Sequence, residues 1–266
     1  MWLDNLLAEG QHASRLANDL ECFCGQALRL RPKAGTLDPF IFNAAQFKLH
    51  RVIEEQKAKT GRVRVVILKA RQLGVSTYVA ARLYHRTINS PGLRTIILGH
   101  ERRASCNLFQ IVKRFHENLP DALRLSVGTS NAEELIFDRI DSGYIVAVAS
   151  GEGTGRSAAA QLLHASEVGF WPGLPLQMAS LMQTVPDIDG TEVILLRAQR
   201  TSTRPRRPAR RLFLLRIPRV ETRTWSRRWY SWTGGPDSPS FPPSPKALLP
   251  RAGPFVWAAV SLKLSA

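Results

Sequence analysis

The chain has 266 residues, 44% hydrophobic and 22% charged, enough apolar material for one core of ordinary domain size and a fragment of a second. That composition excludes a collagen, a coiled coil and a wholly disordered chain. No apolar run approaches the ~20 residues of a membrane span, the first ten residues carry acids where a secretory leader carries basic residues, and a net charge of +16 raises nucleic acid as a partner, so the expected compartment is intracellular.

In chain order, a Leu and Ala pattern over 3–30 reads as helix, broken at 32–39, and helical spacing resumes over 40–56. The period then changes. Val63-Arg64-Val65-Val66-Ile67-Leu68 is a β-branched run suited to a buried parallel strand. A helix follows over 77–86, its Val79, Ala80, Leu83 and Tyr84 on one face, closed by Asn89-Ser90-Pro91-Gly92. Residues 94–98 read as strand, and Leu108, Ile111, Val112, Phe115 and Leu119 recur at helical period before Pro120. Further strands are expected at 135–137, 144–149, 161–165 and 192–196. Strand and helix alternate across short loops, which predicts an α/β fold: a parallel sheet flanked by helices.

The charge is unevenly spread. Residues 1–195 hold 22 Lys and Arg against 19 Asp and Glu, a net +3; residues 196–266 hold 15 against 2, a net +13. The second segment also holds 10 of the 17 prolines and 4 of the 6 tryptophans, so an irregular basic tail is expected there. Cys22, Cys24 and Cys106 fit neither a disulfide framework nor a four-ligand zinc site and read as idle thiols. Three segments result: a helical 1–59, an α/β core 60–195 and the tail 196–266.

The most informative stretch is Lys69-Ala70-Arg71-Gln72-Leu73-Gly74-Val75-Ser76-Thr77, at the junction of the first strand and its helix. There, backbone N–H groups and the positive end of a helix dipole converge on one spot, which suits a polyphosphate. Gly74 and Ser76 fill two roles of a phosphate loop, close backbone approach and a magnesium hydroxyl, but Val75 stands where the lysine is usual. Lys69 or Arg71 would have to supply the charge from the start of the loop. On these residues alone, a basic loop after an edge strand remains a second reading.

Leu162-Leu163-His164-Ala165-Ser166-Glu167 is an apolar strand ending in a carboxylate. In phosphate-loop ATPases such an end carries an Asp on the magnesium side and a Glu that polarises water. Here Ser166 takes the metal side without charge, and Glu167 is also readable as a plain strand-end charge.

Together these residues resemble the large terminase subunits of tailed bacteriophages. The resemblance runs over about 38–195. It rests on Thr60-Gly61-Arg62-Val63-Arg64, the divergent loop, Ile97-Leu98-Gly99-His100-Glu101, Ser130-Asn131-Ala132-Glu133-Glu134-Leu135 and Gly155-Arg156-Ser157. His164-Ala165-Ser166-Glu167-Val168-Gly169-Phe170-Trp171-Pro172 and Gly190-Thr191-Glu192-Val193-Ile194-Leu195 complete it. It implies a P-loop NTPase-like parallel sheet flanked by helices and an ATP-driven motor for packaging double-stranded phage DNA into procapsids, using ATP and Mg2+. Nucleotide binding would fall to Lys69, Arg71, Gln72, Gly74, Val75, Ser76 and Thr77, with Gln46 on the adenine side, and the metal to Ser76 and Ser166. Glu167 would activate water and Arg156 stabilise charge near the γ-phosphate. Gln46 is also readable as a solvated helix residue, Arg156 as a loop residue, and Gly151-Glu152-Gly153-Thr154-Gly155 as a flexible turn. Implied partners are a portal protein, a small terminase subunit and copies of the chain in a ring, in the cytoplasm of a bacterial host and with no membrane.

The resemblance stops near Leu195. The coupling motif and the acidic nuclease domain expected next are not readable, since only Glu221 and Asp237 are acidic after that point. Arg197-Ala198-Gln199-Arg200-Thr201 can be encoded as CGA GCA CAG CGA ACG, which read two nucleotides in gives Ser-Thr-Ala-Asn, so a shifted frame and an impaired product are expected. The rival readings are a helicase-like translocase and a decayed prophage fragment whose tail binds nucleic acid through phosphate charge alone.

Overall fold

The computed structural model describes residues 2–31, 35–70, 72–149, 159–198, 215–216 and 258–262. The predicted first helix is two: α1 (Trp2–Asn18) and α2 (Leu20–Ala27), divided where the Asp19 carboxylate caps α2 by accepting from the Cys22 amide at 3.0 Å. A two-residue ladder, β1 (Arg29–Leu30) with β2 (Asp38–Pro39), leads to α3 (Ala44–Thr60), which begins four residues later than its hydrophobic spacing suggests. The cause is local. Asn43 and Gln46 form a reciprocal capping box that fixes the helix start.

The core alternates as expected: β3 (Val63–Lys69), α4 (Val75–Ile88), β4 (Arg94–Gly99), α5 (Arg102–Glu117), β5 (Thr129–Ser130), β6 (Glu134–Phe137), β7 (Ser142–Val148), β8 (Leu162–Ala165), α6 (Leu174–Thr184) and β9 (Glu192–Ala198). The sequence pattern does not indicate α6, which carries a proline within its first turn, where the missing N–H has no helical partner to lose.

Among the described residues one sheet holds nine strands in the order β10-β11-β3-β9-β8-β4-β7-β6-β5, with β11, β3, β9, β8, β4 and β7 parallel. Strands β10 (Leu215–Arg216) and β11 (Ala258–Leu262) come from the segment expected to be irregular. For residues 258–262 that expectation is corrected: Val260 and Leu262 are 4% and 3% exposed, because a short apolar run can fill the open edge of β3.

Alternate residues of the central strands feed two cores. On one face Val65, Ile67, Ile97 and Ile194 pack with Leu49, Tyr78 and Phe115; on the other Val66, Leu98, Leu163 and Val193 pack with Met178 and Leu181 of α6. A buried ion cluster fixes α4 across the sheet. The Arg82 guanidinium donates to Glu192 of β9 at 2.7 and 3.0 Å and also to Glu54 of α3. Burial opposes the Arg82 charge, but Glu192 and Glu54 outweigh it and keep the group protonated. Among the described residues no helix is long and apolar enough to cross a membrane.

Candidate functional site

Strands β3, β9 and β8 are neighbours in the sheet and run parallel, so their carboxyl ends lie side by side, and it is outside such ends that parallel α/β sheets bind ligands. Strand β3 ends at Lys69, the chain turns, and α4 starts at Val75. Gln72 and Gly74 both hold left-handed backbone, at φ 64° and 66°, and for Gln72 this is a strain usually found where a turn is functionally constrained.

The turn is tied down from outside. Asn43 Nδ2 donates to the Leu73 carbonyl at 3.3 Å, Gln46 Nε2 to the Gly74 carbonyl at 2.8 Å, and the Ala70 amide to the Leu262 carbonyl of β11 at 3.2 Å. The first backbone bond of α4 runs from the Tyr78 amide to the Gly74 carbonyl at 3.0 Å. The amides of Val75, Ser76 and Thr77 therefore precede the helical ladder, and Gly74 at the cap position has no side chain to accept from them. They form a cluster of donors at the positive end of the helix dipole.

Each expected residue can now be located. Val75 is 1% exposed in the core, so its side chain cannot take the missing lysine's role and only its amide faces the turn. Ser76 and Thr77 sit half-buried in the first turn of α4. Gln46 is 3% exposed, and both ends of its amide are engaged, since its Oε1 accepts from the Asn43 amide at 2.9 Å. Arg71, Arg156 and the 151–155 glycine stretch lie outside the described residues.

Strand β8 brings the acid to the loop: Glu167 Oε1 lies 3.7 Å from Lys69 Nζ. Glu167 is in left-handed backbone at φ 54°, and its Oε2 is buried with no hydrogen-bond partner among the described residues. The turn around it is closed by the Ser166 amide donating to the Leu98 carbonyl at 2.7 Å, the Phe170 amide to the Glu167 carbonyl at 2.9 Å, and the Trp171 indole N–H to the Ser166 carbonyl at 3.1 Å. Two further groups escape the sequence patterns. Arg197, at the end of β9, sits with its Nε 3.1 Å from where a Cβ on Gly169 would stand. The His164 imidazole is buried with neither nitrogen paired among the described residues, and burial, aided by the Lys69 charge, lowers its pKa to about 3. Asn43 is legible in principle, because Asn-x-x-Gln before an apolar run is a capping-box signal.

Among the described residues no cluster of three His, Cys, Asp or Glu could hold a metal ion. A divalent cation would here depend on the Ser76 hydroxyl and on phosphate oxygens brought by a ligand, which is how magnesium commonly binds.

No protein-family model matches the chain, and no curated protein matches it in sequence. Among solved structures, the crystal structure of the HK97 bacteriophage large terminase superposes with a TM-score of 0.55 at 14% identity, covering 68% of this chain and 37% of that one. The large terminase from a thermophilic bacteriophage is more distant, with a TM-score of 0.46 at 10% identity, covering 59% of this chain and 39% of that one. The chain thus spans well under half the length of either phage protein. Its mostly parallel sheet, with helices on both faces, has a phage large-terminase-like α/β fold.

Proposed function

We propose that the chain carries an ATP-binding and ATP-hydrolysing core of the phage DNA-packaging type. The observation that supports this most is the 3.7 Å approach of Lys69 to Glu167, at the start of a turn that leads into a helix whose cap residue is a glycine. One cation for phosphate, one carboxylate for water and a donor cluster between them are the minimum set for phosphoryl transfer.

In this reading Lys69, Arg71 and the amides of Val75, Ser76 and Thr77 bind the terminal phosphates. Ser76 supplies a hydroxyl to Mg2+, whose chemistry is to neutralise charge on the phosphate oxygens, and Ser166 adds an uncharged neighbour. Once phosphate engages Lys69, the Glu167 carboxylate is released to take a proton from water. The water oxygen bonds to the γ-phosphorus as the bond to the ADP oxygen breaks, giving ADP and phosphate. Arg156 stabilises the charge that develops.

Double-stranded DNA, a portal protein, a small terminase subunit and a ring of copies are the partners this reading brings, in a bacterial cytoplasm. Weak turnover is expected, since Ser166 brings no charge and the residues after Leu195 do not read in frame as Ser-Thr-Ala-Asn. A shifted frame over the tail is part of the proposal, and sequencing the gene across codon 195 tests it.

Equilibrium binding of a fluorescent ATP analogue in Mg2+ should weaken at least tenfold in Lys69→Ala and in Arg71→Ala, and Glu167→Gln should abolish phosphate release while binding is kept. Unchanged affinity in both cation variants rejects the phosphate loop. Unchanged turnover in Glu167→Gln reassigns the base.

A further inference from the structure

Gln46 presents a buried primary amide whose two ends are used, and both uses are structural. Its Oε1 accepts from the Asn43 amide at 2.9 Å, closing the α3 capping box, and its Nε2 donates to the Gly74 carbonyl at 2.8 Å. Asn43 repeats the gesture one residue earlier, Nδ2 to the Leu73 carbonyl at 3.3 Å. The two side chains stand directly over Gly74: a Cβ there would lie 2.6 Å from Gln46 Nε2 and 3.6 Å from Asn43 Nδ2.

Gly74 is the residue whose left-handed backbone, φ 66°, delivers the chain into α4, and its carbonyl accepts the first helical bond, from Tyr78. A donor on that carbonyl therefore fixes the orientation of the next peptide, and with it the direction of the Val75 and Ser76 amides. The oxygen and the nitrogen of Gln46 each hold one bond within the protein, and at 3% exposure the second N–H and the second lone pair are buried with the side chain and not presented to a nucleobase.

From this geometry we infer that Gln46 is a positioning residue for the phosphate loop and does not read adenine. It clamps the Gly74 carbonyl from α3 and so presets the donor cluster for the polyphosphate of any nucleotide. The inference deepens the phosphate-loop reading and rests on it, but its structural half, that loop order depends on the Gln46 donor, stands without nucleotide.

Two variants separate the roles of the amide. Gln46→Glu keeps an acceptor for the capping box, a position where Glu is favoured, but sets a carboxylate oxygen against the Gly74 carbonyl. Gln46→Met removes both bonds at similar volume. With the full chain, hydrogen exchange should quicken at least fivefold over amides 72–77 in both variants, while β4 and β7 amides keep their protection. Affinities for ATP, GTP and inorganic tripolyphosphate, each with Mg2+, should fall by the same factor, at least fivefold, leaving the ATP to GTP ratio as in the parent. Unchanged exchange over 72–77 overturns the clamp. So does loss of ATP affinity with tripolyphosphate affinity retained, which would make Gln46 a base reader. A parent chain that binds neither ATP nor tripolyphosphate overturns the ATPase reading instead, and the exchange measurement still decides the clamp.

Discussion

The two strand ends that meet at the site are held by opposite means. The turn after β3 is fastened by groups far away in sequence: Asn43 and Gln46 from α3, and Leu262 from β11. The turn after β8 is fastened mostly by its own next residues, with the Trp171 indole reaching back to the Ser166 carbonyl and the Phe170 amide to the Glu167 carbonyl, and by one bond to the neighbouring strand, from the Ser166 amide to the Leu98 carbonyl. Hence the basic loop reports on the assembly of α3 and β11 with the sheet, while the acid is set by a local motif anchored on the adjacent β4. Damage to distant parts of the chain should spread to the former and spare the latter.

The sharpest break is at Gly74. Gly74→Val forces a branched residue into left-handed backbone, at ~1–2 kcal/mol or more, and drives Cβ into Gln46. Binding of the fluorescent ATP analogue should fall more than tenfold, and a chain that binds as the parent does would show that the turn re-forms without its clamp.

Next comes the remote edge. Val260→Asp buries a carboxylate at a 4% exposed site in β11, so ~2 kcal/mol of stability should be lost, read as a lower urea midpoint. Exchange should accelerate at the Ala70 amide and spare the Trp171 indole. Equal acceleration at both would erase the contrast between the two turns.

Trp171→Phe keeps the ring and loses one hydrogen bond, worth ~1 kcal/mol. About fivefold slower ATP turnover at unchanged ATP affinity is expected, a kcat effect, since the indole bond holds the backbone beside Glu167. A fall in affinity alone would place Trp171 on the binding side.

The smallest effect is with pH. His85 is buried on α4 and its Nε2 lies 2.8 Å from the Leu16 carbonyl of α1, so the ring is the neutral Nε2–H tautomer. Burial lowers its pKa below the usual 6.5, so below that pH the unfolded chain binds the extra proton and folding stability falls as pH falls. Between pH 7.5 and 6.0 this group contributes less than ~1 kcal/mol, which His85→Gln should remove from the shift in urea midpoint. Burial lowers the pKa of His50 and His116 too, so the parent's loss keeps the same sign.

Local patterns made much of this legible. The β-branched run up to Lys69 forms β3, Gly74 precedes α4, and the apolar run before Glu167 forms β8, as periodicity suggests. What escaped depends on contacts between distant residues. Asn43 and Gln46 bond to a turn some thirty positions away, and a helical period says nothing of that partner. Ala258–Leu262 is five residues amid prolines and arginines, so its composition is swamped by its surroundings, whereas its pairing with β3 is decided by an edge that needs covering. His164 reads as one more apolar-strand residue; only the structure reveals that it is buried with neither nitrogen paired among the described residues.

The pairing of Leu262 with Lys69 also orders events in time. Synthesis runs from the amino end at ~5–20 residues per second, so β3, its loop and α4 leave the ribosome many seconds before the strand that seals their open side exists. During that interval the exposed edge of β3 is free to meet another chain. Closure then waits on a contact of very long sequence separation, the kind that folds slowly. The last part of the sheet to be made is the part touching the first residue of the loop.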